Sequence, residues 1–431
     1  MNAANWSDEF LNRMRETGDP LADNAACFLW ENKNSADIIK DLREISRDHN
    51  LSRNRFPTDV LDYFDQTENI SVTPEDIEQF KISSRLFNLY GYRYCALLFF
   101  KALPTGYMCP KPGHVLEKTK LLVNFAARRV METAQFVFAV NQEDWYKPGN
   151  PGLESIQRVR LMHAGMRMAL MHDERPDHQW DMARGVPINQ EDMALTNYLF
   201  SLSMNEGMDL MGIHLSQEER MAVFHTWQKI GQAMGLCDEI LVSDYQDGLT
   251  QYKKIFHRQC SVDNPSGPIL TQALLESMNE LLQIKIPMHD LEDVATYFVN
   301  DSRSWKSLGM HKPTTMDRIM DVVFQQVTSM RIWQSLFRHQ GSIVQYDWVT
   351  KIANFFITKR FDLSKHLAQY PNLNVLETLS KMLLVELSKR DLQTFGKDNP
   401  QEIKKSFLIP DKLYEAWDLG GFDLSAKTEA L

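Results

Sequence analysis

Helix-start signals recur along this 431-residue chain, and they restrict what it can fold into more than any other feature. In a capping box, an N-cap side chain and an acidic residue three positions later satisfy the free amides that begin a helix. The pairs with this spacing are Thr73 and Asp76, Asn189 and Asp192, Ser216 and Glu219, Thr314 and Asp317, and Asn374 and Glu377. Alternating β-branched runs between glycine turns are missing, so the sequence predicts an all-α fold.

The chain is predicted to form one multi-helix domain over residues 1–431. Its hydrophobic fraction of 43% supplies enough apolar side chains for one large core. Glycine and proline cluster at 103–113, 148–152 and 263–268, where connections between helices are expected. We expect the functional centre within about residues 80–300, with residues 1–79 and 301–431 as helical extensions around it.

The charge balance argues against two classes of partner. With 47 basic and 57 acidic residues, the formal net charge is −10, which disfavours nucleic acid and anionic membrane surfaces. The apolar stretches are shorter than the span of about 20 residues that crosses a bilayer, so no stable membrane insertion is expected. The first residues are neither basic nor apolar, as a signal peptide would be. These features predict a cytoplasmic protein, either a monomer or a homodimer.

Three kinds of metal site lack support in the sequence. The five cysteines form neither a CxxC pair nor a CxxCH motif, which excludes a zinc site of that type and a c-type haem linkage. A carboxylate-bridged di-iron bundle typically carries paired Glu-x-x-His motifs, and the sequence contains none.

The segment 156–172 inverts the usual pattern of a surface helix. Apolar residues cover most of its directions, while Arg160, His163 and Arg167 form a stripe about 60° wide at 100° per residue. Two guanidiniums in a core need anionic partners, because an unpaired buried charge costs several kcal/mol. The partner is either a carboxylate of the protein or an anionic ligand. His163 is either a hydrogen-bonded interior histidine or an iron ligand, and a haem would meet both needs.

A second predicted helix, about 116–140, places Arg129, Glu132 and Thr133 on one otherwise apolar face. An ordinary ion pair within one turn explains this pattern as well as a functional site does. Further along, residues 184–192 form a loop that enters a helix containing Thr196 and Phe200. A later helix, 216–234, buries Trp227, and its His225 is interpreted as a packing residue.

Together these segments resemble the rubber oxygenase (latex-clearing) catalytic domain family, which also includes a fungal oxygenase of mycophenolic acid biosynthesis. The similarity covers about residues 85–240. It rests on Arg160-x-x-His163-x-x-x-Arg167 and on Arg129-x-x-Glu132-Thr133 about thirty residues upstream. The loop Gly185-Val-Pro-Ile-Asn-Gln-Glu-Asp192 and the later Trp227, Gly231 and Gly235 follow in the family's order.

The resemblance implies an all-α haem-b oxygenase with its haem pocket between the central helices and O2 as co-substrate. His163 would be the proximal iron ligand. Arg160 and Arg167 would orient it or neutralise the haem propionates, and Arg129, Glu132 and Thr133 would line the distal side. Members of known activity cleave a carbon–carbon double bond of an isoprenoid chain with dioxygen.

The chain departs from the family in two respects. Rubber-cleaving members carry a distal lysine where this sequence has Glu132, and those members are exported. Both differences favour a small lipophilic substrate over rubber. Two alternatives stay open: a non-catalytic haem-binding or sensor protein, and a helical scaffold without a cofactor.

Overall fold

The computed structural model describes residues 6–32, 58–119, 126–173, 179–282 and 286–314, and over these ranges the chain forms helices and no strand. The predicted all-α class is therefore confirmed. The first six α-helices are α1 (Asp8–Arg15), α2 (Pro20–Asn32), α3 (Thr58–Glu68), α4 (Pro74–Leu97), α5 (Leu103–Tyr107) and α6 (Pro110–Thr119).

The central helices follow. They are α7 (Ala126–Val140), α8 (Pro151–Met171), α9 (Gln190–Phe200), α10 (Leu202–Leu210) and α11 (Gln217–Ala233). The described chain ends with α12 (Tyr245–Gln259), α13 (Ser266–Leu282), α14 (Met288–Val299) and α15 (Ser304–Ser307). No helix in the described ranges combines the length and apolarity needed to cross a bilayer.

Three of the predicted helix starts are observed. Thr73 and Ser216 are N-caps of complete capping boxes at α4 and α11. The Asn189 side chain accepts a hydrogen bond from the amide of Asp192 at the start of α9. The starts predicted at Thr314–Asp317 and Asn374–Glu377 extend beyond the described residues, as does most of the extension 301–431.

The core surrounds α9, with α4 packed along α11 and α8 lying between α2 and α7. A π-helical turn, Leu98–Ala102, joins α4 to α5, and all five of its residues are buried. Such turns are often found beside functional sites. On the other side of α8, small residues of α2 let the two helices approach closely, with Ala22 and Ala25 packed near Leu161 and Ala164.

Asp76 ties the start of α4 to α11. Its carboxylate accepts hydrogen bonds from the Thr73 amide at 2.7 Å and the His225 Nε2 at 2.5 Å, and Lys229 Nζ lies 3.3 Å away. His225 is thus engaged in helix packing, as the sequence indicated. Burial raises the pKa of Asp76, but the bonds from Thr73, His225 and Lys229 outweigh it and lower the pKa to about 2.

We predict that Asp76→Asn lowers the free energy of unfolding by about 1–3 kcal/mol at pH 7, because a neutral amide accepts the bonds from Thr73 and His225 more weakly and leaves the charge of Lys229 unbalanced. A lowered carboxyl pKa stabilises the fold above the unfolded value of 3.8, and that contribution is lost as the pH falls towards 2. Urea unfolding from pH 7 to pH 2 should therefore show the two proteins converging below pH 4. A constant difference over that range would contradict the assignment.

Candidate functional site

A cavity of about 360 Å³ lies between α7, α8, α9 and α11, with α5 and α6 closing one side. Its volume falls within the range of about 300–1,000 Å³ that is typical of ligand and cofactor pockets. Its surface is largely apolar, and many of its side chains are aromatic rings or flexible thioethers. These include Phe136, Met162, Met166, Met193, Phe200 and Trp227. The Phe200 and Trp227 rings stack at a centroid distance of 4.9 Å.

His163, on α8, lines this cavity and is half-buried. Its Nδ1 is buried and has no hydrogen-bond partner among the described residues. Burial, followed by the positive charges of Arg167 and Arg129, lowers the pKa of His163 to about 3. The imidazole is therefore neutral at physiological pH, which is the state that a metal-ligating histidine requires.

The three residues predicted on α7 also line the cavity. Arg129 Nη1 donates to Glu132 Oε2 at 2.5 Å, and the Thr133 hydroxyl donates to the Arg129 carbonyl at 2.9 Å. The side chains of Arg129 and Glu132 are only 26% and 14% exposed. The sequence pattern allowed either an ordinary ion pair or a functional site. The structure shows an ion pair within one helical turn that also lies in the cavity wall.

Arg160 and Arg167 do not line the cavity. Arg160 pairs with Asp19, the residue just before α2, and Arg167 pairs with Asp23 in the first turn of α2, at nitrogen–oxygen distances of 2.5 and 2.7 Å. The sequence left two possible partners for these guanidiniums, and the structure shows the carboxylates of the protein. Any contribution of the two arginines to cofactor binding therefore acts through the helix that carries His163.

The wall formed by α9 was not recognised as part of a site. Asp192 was interpreted as a capping residue, yet it lines the cavity together with Thr196 and Asn197. Its carboxylate accepts a hydrogen bond from Arg15 at 2.9 Å, across 177 positions of sequence. Burial raises the pKa of Asp192 against the opposing charge of Arg15. The predicted cap at Asn189 was the only local signal for this wall. The contact between Asp192 and Arg15 joins distant residues and leaves no periodic pattern in the sequence.

The site suits haem better than a bare metal ion. Among the described residues, no group of three or more His, Cys, Asp or Glu side chains is arranged to hold a metal. A haem needs only one protein ligand to its iron, and an apolar cavity with one neutral imidazole meets that requirement. His163 would hold the iron, and the apolar side chains would contact the macrocycle.

Comparison with known proteins gives three matches. Residues 95–331, just over half of the chain, match the family described as ER-bound oxygenase mpaB/B'/Rubber oxygenase, catalytic domain. A rubber oxygenase from Streptomyces sp. (strain K30) is 24% identical over 156 residues, which are 36% of this chain and 37% of that protein. The match thus spans little more than a third of the relative.

The third match is a solved structure described as latex clearing protein LCP in the closed state. It superposes with a TM-score of 0.63 over 87% of this chain and 92% of that chain, at 16% identity. At this identity the likeness supports the helical fold. The resemblance stated from the motifs is confirmed by the family match.

We predict that Gly231→Ala, in the α11 wall, lowers stability and weakens the binding of apolar dyes. A Cβ there would lie 2.8 Å from Leu236 Cδ1 and 2.9 Å from Asn197 Nδ2, so overpacking would cost about 1–3 kcal/mol. Gly91→Ala in α4 is the control, because its new Cβ meets nothing closer than 3.9 Å. Urea unfolding and dye titration measure both effects, and equal behaviour of the two variants would contradict the prediction.

Proposed function

The chain belongs to the rubber oxygenase catalytic domain family, and on that premise we propose that it is a haem-b-dependent oxygenase with His163 as the proximal iron ligand. The substrate we propose is a small, apolar, unsaturated molecule of isoprenoid or lipid type. One observation carries the proposal: a neutral histidine on a buried helix faces an apolar cavity of cofactor size. An interior histidine with a purely structural role would have its Nδ1 paired, and this one does not.

Different residues of the chain would have different roles in such a site. Bound haem would supply the iron that takes up dioxygen, and His163 would supply a neutral nitrogen ligand. The apolar side chains around the cavity would exclude water and bind the hydrocarbon. Arg129, Glu132 and Thr133 would form the polar wall, where Glu132 Oε2 can accept a proton from a group in the cavity.

The nature of the substrate follows from the lining. Apolar and aromatic side chains dominate the cavity, and burial of a lipophile against them gains about 25 cal/mol for each Å² of apolar surface. The Streptomyces relative bears the name rubber oxygenase, which supports an unsaturated hydrocarbon as the substrate class. We propose dioxygen as the co-substrate and the cytoplasm as the location, a reducing compartment that suits the five free cysteines.

We predict that the purified protein, expressed with ample haem precursor, shows a Soret band and a b-type pyridine haemochrome. His163→Ala should abolish haem retention and leave the far-UV circular dichroism unchanged, because it removes only the ligand. His172→Ala is the matched control: it lies just after the same helix, where it is exposed and hydrogen-bonded to the Met168 carbonyl. This control should keep its haem.

Full haem occupancy in His163→Ala would overturn the ligand assignment. A colourless wild type would overturn the cofactor and favour a helical scaffold. If haem binds, oxygen uptake with squalene or polyisoprene latex, followed by mass spectrometry of carbonyl products, tests the catalytic part. Haem binding without any product from either probe would favour a non-catalytic haem or sensor protein.

We predict that Glu132→Gln keeps the haem but changes the turnover or the spin state of the iron. The amide keeps the shape of the side chain, yet it cannot balance the Arg129 charge or take up a proton. Absorption spectra and single-turnover kinetics measure the effect, with Glu154→Gln as control, since Glu154 pairs with Arg158 at 3.2 Å away from the cavity lining. Unchanged behaviour in both variants would return Glu132 to a structural ion pair.

A further inference from the structure

Two carboxylates at the start of α2, Asp19 just before it and Asp23 in its first turn, hold the helix that carries His163 and precede the residues that match the family. We propose that Asp19 and Asp23 are positioning residues, which fix the rotation of α8 about its axis through Arg160 and Arg167 and so direct His163 into the cavity. The inference rests on the proposed function, because an iron ligand is what such positioning serves.

The first ion pair is bidentate and joins three parts of the fold. Arg160 Nε donates to Asp19 Oδ2 at 2.5 Å and Nη2 donates to Asp19 Oδ1 at 2.9 Å. Its Nη1 donates to the Ala233 carbonyl, the last residue of α11, at 3.1 Å. The side chain of Asp19 is only 3% exposed. A planar guanidinium bound on two edges has little freedom to turn, so Arg160 holds its part of α8 in one orientation.

The second ion pair lies on the other side of His163. Arg167 Nε donates to Asp23 Oδ1 at 2.7 Å, and Nη1 donates to the Ile188 carbonyl at 2.8 Å. Ile188 itself lines the cavity, and its backbone is left-handed with a φ of 52°. Arg167 therefore links α2, the cavity wall and α8. Along α8, Arg160 lies three residues before His163 and Arg167 lies four residues after it.

The geometry of a helix shows why rotation matters. Both arginines lie within about 60° of His163 around the axis of α8. A ring nitrogen stands roughly 6 Å from that axis, so a rotation of about 20° moves it by about 2 Å. A displacement of about 1 Å already costs on the order of 100-fold in a positioned reaction. Two fixed points on the same face prevent such a rotation.

Two glycines keep space for these ion pairs. A Cβ on Gly235, whose φ is +94°, would collide with Asp19 Oδ2 and lie 2.8 Å from Arg160 Nε. A Cβ on Gly18 would lie 2.5 Å from Asp23 Oδ2 and 3.1 Å from Arg167 Nε. The chain thus leaves room for the charged groups at both points.

The packing of α2 against α8 does not require the two ion pairs. The two helices already meet through apolar residues such as Ala22, Ala25 and Ala164. Replacing a buried ion pair by apolar residues is often neutral or stabilising, so such a pair is weak evidence for stability alone. A unique orientation of α8 is the property that alanine contacts cannot supply, and the ion pairs supply it.

The test uses the haem-loaded protein and the isosteric variants Asp19→Asn and Asp23→Asn. Asp209→Asn is the control, because it breaks a more exposed aspartate–arginine pair, with Arg220 at 2.6 Å, outside the cavity lining. We expect haem to transfer to apomyoglobin 10–100-fold faster from the two test variants, with a shifted iron–histidine stretching band in the ferrous protein. Asp19→Glu and Asp23→Glu keep the charge and should recover part of both signals, and they replace the Asn variants if those do not fold.

A second readout needs no haem. The methyl resonances of Met162 and Met166, which line the cavity on either side of His163, should shift in the test variants and not in Asp209→Asn. If the wild type holds haem and the test variants match the control in transfer rate, Raman band and methyl shifts, the positioning role is wrong and the proposed function stands. If the wild type holds no haem, the proposed function fails, and the methyl shifts alone decide whether Asp19 and Asp23 orient α8.

Discussion

The desolvated charge beside His163 is the constraint on which the rest of the site depends. Two guanidiniums can be buried next to one imidazole only where each meets a carboxylate with good geometry, because breaking one such buried pair costs about 3–5 kcal/mol. Asp19 and Asp23, at the start of α2, meet that need from more than 130 residues away in sequence. The fold must therefore bring α2 onto α8, and the adjoining side of α8, which includes His163, then faces the cavity. Residues 58–68, as α3, complete this arrangement by packing Val60 and Tyr63 on the same side.

The charged side chains that line the cavity are neutralised in other ways. On α7 the charge partner is local, because Arg129 and Glu132 form an ion pair within one turn. On α9 it is long-range again, because Asp192 depends on Arg15 from α1. A cavity with apolar walls thus contains charged side chains with one local and one distant partnership, over 3 and 177 positions of sequence.

These distances explain what the sequence predicted and what it did not. Capping boxes at Thr73 and Ser216 are local, and each predicted a helix start that the structure contains. The stripe of Arg160, His163 and Arg167 is periodic, so the burial of that helix and its need for anionic partners were predictable. The identity of the partners was not, because Asp19 and Asp23 belong to a short segment with no pattern of its own. The predicted cap at Asp192 is present, but its place in the cavity wall was missed for the same reason: the cap is a local signal, and the contact with Arg15 is not.

The chemistry of the polar wall follows from donor counting. A carboxylate at position 132 offers acceptors and no hydrogen when ionised. The Thr133 hydroxyl already donates to the Arg129 carbonyl, so it faces the cavity as an acceptor. Arg129 gives one of its five hydrogens to Glu132. Of these three residues, Arg129 is therefore the one whose remaining N–H groups can stabilise negative charge that develops in the cavity.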